Sequence, residues 1–156
     1  MDMIEDIKVV DLQETICMAI EEEVENHKIP MAMVKMFQDL SAFFQENSIV
    51  MAGPPFAYYH SWGDLKTHMS VGFPVSNQID GDGRVRPFTL PGGKVVNAMH
   101  IGPYEKLVDS YMAMQDWMAK NHLKPAGHMW EVYLSDPVQE KDPEKWMTSM
   151  YWPCTE

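Results

Sequence analysis

At 156 residues, of which 46% are hydrophobic, the chain has the size of one compact domain with its own core. Charged residues interrupt every apolar stretch and the acidic N-terminus lacks the features of a signal peptide, so we expect a cytoplasmic protein that does not enter a membrane. The net charge of −11 repels phosphate, which argues against nucleic acid as a direct partner and favours cationic ligands.

The first half of the chain predicts a strand, a helix and two more strands. Apolar residues alternate in the first of these segments, as they do in a half-buried strand. Pro30 suits the first turn of a helix, and apolar residues then recur at spacings of three and four. Glycines and prolines end this helix and separate the strands that follow. The predicted strands occupy residues 15–24, 56–61 and 67–73, and a turn-rich connector follows at 77–84.

The second half predicts the same order of elements. A strand at residues 95–100 precedes a helix that opens at Pro103. Two strands at 129–134 and 146–152 then form a hairpin around a polar turn. The apolar stripe of the predicted helix consists of Tyr104, Leu107, Val108, Tyr111, Met114 and Met118.

Short landmarks recur in the two halves at nearly constant spacing. The shift along the chain from Ala52-Gly53 to Ala126-Gly127, called the repeat offset below, is almost the same as the shift from His27 to His100. The shift from Phe73-Pro74 to Trp152-Pro153 is slightly longer, and the additional residues fit the polar turn at 135–145, where an insertion costs little. We therefore predict one domain, residues 1–156, with a first repeat at about 7–75 and a second at about 85–154.

This duplication predicts an α+β fold of two strand-helix-strand-strand units with pseudo-twofold symmetry. Each helix would pack on the outer face of a curved antiparallel sheet, and the two sheets would enclose a central cleft. A ligand site is expected in such a cleft.

The segment 128–134 contains the strongest candidate for a functional residue. Alternation places Glu131 and Tyr133 on one face of a strand and Trp130 on the other. We expect the face with Glu131 to line the cleft, on the side of the sheet that the helix leaves free.

One charge breaks the symmetry of the predicted repeat. At the repeat offset, Glu131 corresponds to Ala57, whereas Tyr133 corresponds to Tyr59. A buried carboxylate is costly unless it has a partner or a role. The alternatives are that Glu131 is solvated on an exposed sheet face, or that it bonds to Tyr59 or Lys94.

Aromatic residues in the same strands complete the candidate site, although such residues also pack into cores. Aromatic faces attract cations, which suits them to a ligand of that charge. The candidate ligand-binding residues are Glu131, Tyr133, Tyr59, Trp130, Trp152 and Phe56.

Three segments carry a family resemblance: residues 98–105, the strand Trp130-Glu131-Val132-Tyr133-Leu134, and Tyr151-Trp152-Pro153. In order and spacing they resemble the GyrI-like small-molecule-binding domains, which include effector-binding modules of AraC-type and multidrug-sensing regulators and a stand-alone DNA gyrase inhibitor. The resemblance implies a hydrophobic cavity with Glu131 inside it and Tyr133 beside it. Some stand-alone members hydrolyse electrophilic, cyclopropane-containing natural products with a glutamate and a tyrosine, which implies Glu131 and Tyr133 as the catalytic pair of an enzyme.

Other chemistries find little support in the residues. No histidine pair has helical metal-binding spacing, and neither a phosphate loop nor a nucleophile elbow is present, so we expect no metal and no cofactor. Cys17 and Cys154 are expected to be core residues. Because no helix-turn-helix precedes the first predicted strand, a one-component transcription factor is not expected.

Three functional interpretations follow. The first is a stand-alone binding domain for hydrophobic, cationic or electrophilic small molecules. The second is a hydrolase in which Glu131 activates water and Tyr133 or Tyr59 polarises the substrate. The third is a protein-interaction module that inhibits a topoisomerase, with a regulator or gyrase as its partner. The oligomeric state stays open.

Overall fold

The computed structural model describes residues 3–156, which form nine strands and two α-helices. The antiparallel strands and the two α-helices confirm the predicted α+β class. Neither helix within residues 3–156 is long and apolar enough to cross a membrane. The strands are β1 (Ile4–Leu12), β2 (Thr15–Glu25), β3 (Phe56–Trp62), β4 (Lys66–Pro74), β5 (Val85–Leu90), β6 (Gly93–Ile101), β7 (Lys124–Pro125), β8 (Trp130–Tyr133) and β9 (Met147–Thr155), and the helices are α1 (Ile29–Glu46) and α2 (Leu107–Lys120).

Residues Gln13–Gly92 form one compact unit, called the first unit below. Its strands lie in the order β3-β4-β2-β5, and neighbouring strands are antiparallel. α1 packs against β2 and β4 through its apolar face, where Phe44 contacts Phe73 with 5.5 Å between the ring centroids. The buried side chains of α1 are Met36, Leu40, Phe43 and Phe44.

The segment up to Leu12 and residues Gly93–Glu156 form the second unit. Its strands lie in the order β1-β6-β9-β8, again antiparallel, and the short β7 pairs with β9. α2 packs against β6 and β1. α2 and the strands share a buried core that consists of Val96, Ala98, Leu107, Met114, Met118, Met150 and Cys154.

Matched hydrogen bonds confirm two of the predicted landmarks of the repeat. The backbone N–H of Ala52 donates to the carbonyl of Pro74 at 2.9 Å, and that of Ala126 donates to the carbonyl of Pro153 at 2.8 Å. Each bond ties the loop after a helix to the end of the last strand of the same half. The Ala-Gly and aromatic-Pro pairs are therefore equivalent positions.

The two helices also end in the same way. The side chain of Asn47 donates to the carbonyl of Phe43 at 2.9 Å, and that of Asn121 donates to the carbonyl of Trp117 at 2.8 Å. The next residues, Ser48 after α1 and His122 after α2, have a left-handed backbone with φ of 54° and 59°, respectively. Asparagine side chains and a left-handed residue satisfy the last carbonyls of a helix. The repeat offset thus holds at the helix ends.

The equivalence of His27 and His100 is wrong. His27 is 75% exposed in a short 3-10 helix before α1, whereas His100 is fully buried near the end of β6. α1 has 18 residues and α2 has 14. The shift along the chain from the first residue of α1 to the first residue of α2 is therefore longer than the shift between their last residues, so the repeat offset does not hold at the helix starts. His100 does hold the turn into α2, since its Nε2–H donates to the carbonyl of Pro103 at 3.0 Å and its Nδ1 lies 2.7 Å from Ser110 Oγ.

Two strands of ordinary length, β1 and β5, were not predicted, and neither was the two-residue β7. In β1, charged residues occur on both faces, and Asp6 has a positive φ of 57° where the pairing with β6 is irregular. In β5, Pro87 interrupts the pattern; proline is tolerated there because β5 lies at an end of the sheet. Neither segment alternates cleanly, so hydrophobic period alone does not reveal it.

Candidate functional site

Glu131 lies in the middle of the short strand β8 and is only 3% exposed. Its neighbour across the ladder is Met150 of β9, a core residue, and directly opposed residues share a face of the sheet. The alternative of a solvated Glu131 is therefore wrong. The carboxylate is a buried acid in an apolar setting.

Two tyrosine hydroxyls donate to the carboxylate of Glu131. Tyr133, further along β8, donates to Oε2 at 2.6 Å, and Tyr111 of α2 donates to Oε1 at 2.9 Å. Both donors are neutral, so they stabilise the carboxylate without cancelling its charge. Hydrogen bonds to an ionised acceptor contribute about 1.5–3 kcal/mol each.

Further aromatic rings pack against the two tyrosines that bond to this carboxylate. Tyr104 packs edge-on against Tyr133 with 5.5 Å between the centroids, and its ring also lies 4.7 Å from that of Trp146. Tyr111 packs edge-on against Trp152 at 6.0 Å. Burial raises the pKa of Tyr104, and the charge of Glu131 raises it further. Tyr104 thus stays protonated and adds a polarisable ring near the acid.

A further polar atom lies on the same face of the sheet. Thr148 of β9 is opposite Tyr133 in the ladder and fully buried, and its Oγ1 has no hydrogen-bond partner among residues 3–156. Buried hydroxyls are nearly always hydrogen-bonded. The hydroxyl of Thr148 adds an unsatisfied polar atom to the face of the sheet that carries Glu131.

The face of the sheet that carries Glu131 differs from the expected one. We expected the face that the helix leaves free, whereas Tyr111 of α2 reaches Glu131 directly. Alternation along a strand shows which residues share a face, but it does not show which face a helix covers. The site therefore lies on the helix-facing side of β8.

The other predicted site residues divide between faces and units. Trp152 lies with Glu131 on the helix-facing side, whereas Trp130 stacks on Tyr151, on the reverse side, with 5.4 Å between the centroids. Tyr59 and Phe56 belong to the first unit. There, Tyr59 packs edge-on against Trp62 at 5.3 Å, and Phe56 stacks on Phe88 at 5.8 Å. Within the second unit, Tyr133 bonds to Glu131 directly, and Tyr111 links Glu131 to Trp152.

Tyr111 is the contact that the sequence prediction missed, because it was assigned only to an apolar stripe. Its counterpart at the repeat offset is Phe37, which packs edge-on against Phe73 at 5.6 Å much as Tyr111 packs against Trp152. The second unit therefore has a hydroxyl where the first has none, next to the carboxylate that replaces Ala57. A comparison of the two helices at this offset is the signal that reveals it.

Neither cysteine resembles a nucleophile. Cys17 and Cys154 are free and buried, which confirms their prediction as core residues. Burial raises the pKa of the Cys17 thiol to about 12, and burial also raises the pKa of Cys154. A thiol with a raised pKa is a poor nucleophile at neutral pH. A separate group of potential metal ligands, Glu21, His60 and His68, lies in the first unit.

A family model described as the GyrI-like small molecule binding domain matches residues 5–155. The chain belongs to this family. It is thus a small-molecule-binding domain of the GyrI-like type, as the resemblance implied. A comparison with curated proteins finds no match.

Solved structures of low sequence identity share the fold. The crystal structure of the EcmrR C-terminal domain is 16% identical with a TM-score of 0.85, over 97% of this chain and 98% of that one. In a cryo-EM structure of an EcmrR–DNA complex (16% identity, TM-score 0.86), the match covers 99% of this chain and spans 58% of the EcmrR chain. These likenesses extend along almost the whole GyrI-like domain.

Two further structures with this fold are a complex with an organic cation and a hydrolase. SAV2435 bound to tetraphenylphosphonium is 14% identical with a TM-score of 0.65, over 97% of this chain and 94% of that one. A hydrolase from Listeria innocua is 16% identical with a TM-score of 0.68, over 96% and 91%. At such identities, the likeness shows the fold alone.

Proposed function

We propose that this GyrI-like domain binds lipophilic organic cations, with Glu131 as the charged contact. The observation that carries this proposal is a carboxylate that is 3% exposed and hydrogen-bonded by Tyr111 and Tyr133. Burying a carboxylate has a desolvation cost, and apolar residues of similar volume are often as stabilising or more so. Packing alone therefore does not account for a glutamate at this position.

Electrostatics favours a cationic ligand at this position. A positive charge about 4 Å from the carboxylate gains roughly 4 kcal/mol at an effective dielectric constant near 20, before desolvation is subtracted. A lipophilic cation has a small desolvation cost because its charge is shielded by hydrocarbon. The net charge of −11 adds a long-range attraction for cations of any kind.

The aromatic surroundings favour a flat or bulky apolar ligand. Tyr104, Tyr111, Tyr133 and Trp152 lie around the acid, and each ring that faces a cation adds about 0.5–2 kcal/mol. Tetraphenylphosphonium, bound by the structurally similar SAV2435, combines a positive charge with four phenyl rings. A phenyl-substituted phosphonium ion is therefore the natural first probe.

The test is a binding titration with a matched cationic and neutral ligand, methyltriphenylphosphonium and triphenylphosphine oxide. Glu131→Gln preserves the shape of the side chain and removes its charge. We expect this variant to bind the cation at least tenfold more weakly, about 1.4 kcal/mol, and to change the affinity for the neutral ligand much less.

Glu105→Gln is the matched control for net charge, since Glu105 is exposed in the same unit. It removes one negative charge without touching the site, so its effect on the cation should stay within about twofold, as expected for a screened surface charge. Equal losses for both ligands in Glu131→Gln, or no loss for either, would contradict the proposal.

Hydrolysis is a second candidate, favoured by the distance of 2.6 Å between the Tyr133 hydroxyl and Glu131 Oε2. In this mechanism Glu131 takes a proton from water while the water oxygen attacks the electrophilic ring carbon and the strained C–C bond breaks. Tyr133 polarises the substrate and donates its hydroxyl proton to the atom that receives the electron pair of that bond, and protonated Glu131 then returns a proton to Tyr133. A turnover assay on a cyclopropane-containing electrophile tests it: Glu131→Gln should abolish turnover and preserve binding of the neutral substrate. Inhibition of a topoisomerase stays a prediction.

A further inference from the structure

Three potential metal ligands of the first unit lie on three adjacent strands. Glu21 is on β2, His68 on β4 and His60 on β3, and one ligand atom from each lies within 4.8 Å of the other two. Two imidazoles and one carboxylate are a ligand set that zinc and other divalent transition metals take in proteins. This set is remote in sequence from Glu131 and does not involve it.

The distances already approach those of a coordination sphere. Glu21 Oε2 lies 2.8 Å from His68 Nε2, and Glu21 Oε1 lies 3.7 Å from His60 Nε2. Ligand atoms about 2.0–2.1 Å from a tetrahedral zinc ion are roughly 3.3 Å apart, which is between these two values. Each of the two separations differs from this value by about 0.5 Å or less.

A β-bulge contributes to this arrangement. The pairing of β3 with β4 shifts between Tyr59 and Ser61, so that Ser61, rather than His60, is opposite His68. The rings of His60 and His68 then stack with 4.4 Å between their centroids. Bulges often redirect a side chain near a functional site. Here the bulge places two imidazoles beside one carboxylate.

The cluster is open to an incoming ion and to water. The side chains of His60, His68 and Glu21 are 21%, 38% and 58% exposed, respectively. Glu21 also lines an open pocket of about 300 Å³, together with Ser70, Arg86 and Phe88. A site with three protein ligands and solvent access retains a free position for water or another ligand.

We propose that the first unit binds one divalent transition metal ion through Glu21, His60 and His68. In the metal-free protein, hydrogen bonds occupy the positions of the metal bonds: His68 Nε2 bonds to Glu21 at 2.8 Å, and His60 Nε2 bonds to Ser70 Oγ at 2.7 Å. The ion replaces these hydrogen bonds and is held by both imidazole Nε2 atoms and one carboxylate oxygen. The fourth position is taken by water from the adjoining pocket.

The test is a titration of the untagged 156-residue chain with Zn²⁺ by calorimetry, and with Co²⁺ by visible absorption. We expect saturation at one equivalent, and a Co²⁺ spectrum typical of four or five ligands. His60→Gln, His68→Gln and Glu21→Gln should each weaken Zn²⁺ binding at least tenfold, about 1.4 kcal/mol.

His27→Gln is the matched control, because His27 lies 3.7 Å from a carboxylate of Glu25 but is not part of the cluster. It should bind Zn²⁺ like the unchanged protein. NMR of the unchanged protein needs no variant: the ring protons of His60 and His68 should shift with Zn²⁺, and those of His27 should not. Absence of saturation at one equivalent, or equal weakening in His27→Gln, would overturn the proposal.

Discussion

A buried carboxylate and a matching hydroxyl occur together in the second unit, and both are missing from the equivalent positions of the first. Glu131 and Tyr111 correspond to Ala57 and Phe37, whereas a tyrosine is present in both units at Tyr133 and Tyr59. A buried acid without donors carries its full desolvation penalty, and the hydroxyl of Tyr111, added to that of Tyr133, lowers this cost for Glu131. The two differences are therefore coupled.

This coupling predicts a non-additive pair of substitutions in the first unit. Ala57→Glu alone buries a carboxylate that lacks one of its two donors, and we expect it to lower the free energy of unfolding by about 3 kcal/mol. Adding Phe37→Tyr should restore about 1–2 kcal/mol, because the hydroxyl rebuilds the contact that Tyr111 makes. Urea denaturation of both single variants and the double variant measures the interaction energy as a double-mutant cycle.

The single variant Phe37→Tyr is the control, since its hydroxyl then has no added carboxylate to bond. Strictly additive effects would show that the repeat offset does not place position 37 over position 57, and would contradict the equivalence of the two units.

At the level of the elements, the close approach of β2 and β4 depends on one glycine. Gly72 of β4 is opposite Ala19 of β2, and a Cβ atom at Gly72 would lie 2.3 Å from the carbonyl oxygen of Met18. The other near atoms are the Cα and Cβ of Ala19, so the crowding comes from β2 itself and not from the end of a flexible side chain that could move aside. The ladder between these strands therefore requires glycine at position 72.

We expect Gly72→Ala to destabilise the protein by about 2 kcal/mol or more, since the added methyl group forces the two strands apart. Ser61→Ala, in the exposed end of β3, is the control for an alanine placed in a strand and should change stability by less than about 0.5 kcal/mol. The measurement is the urea midpoint at constant m-value. An unchanged urea midpoint in Gly72→Ala would show that β2 is not close enough to position 72 for the added methyl group to clash with it.

Elements with a regular period were predicted from the sequence, and irregular ones were not. Both helices and the strands β2, β3, β4, β6, β8 and β9 have a clear spacing of apolar residues, and their bounds agree with the prediction within a few residues. β1 and β5 contain charges, a positive φ or a proline, and their positions are fixed by pairing with β6 and β2. Pairing partners distant in sequence leave no local pattern.

At the level of the whole molecule, the same reason explains which parts of the site were predicted. Glu131 and Tyr133 were found because they alternate along one strand. Tyr111 and Thr148 join them only through tertiary packing, and the cluster at Glu21 depends on the register of three strands and on a bulge. Sequence spacing identifies residues on one element, whereas contacts between elements require the fold.

The distribution of charge predicts how the whole molecule behaves toward DNA. Acidic side chains number 23 against 12 lysines and arginines, and several of the basic ones are paired with carboxylates. Lys28 lies 3.1 Å from Glu25, and Lys35 and Arg84 lie 3.1 and 2.7 Å from the two carboxylate oxygens of Asp39. Binding of duplex DNA requires unpaired cations that displace counterions from phosphates. This surface instead repels the duplex.

We therefore expect the 156-residue chain to show no affinity for duplex DNA at physiological salt, although it shares its fold with part of EcmrR, which was solved in a complex with DNA. The measurement is a mobility-shift titration to micromolar protein at two salt concentrations, repeated with methyltriphenylphosphonium present. Electrostatic binding to DNA weakens steeply with salt, so a shift at sub-micromolar protein that disappears on adding salt would contradict the prediction. A ligand of one positive charge cannot offset a net charge of −11, so the cation should not create DNA binding either.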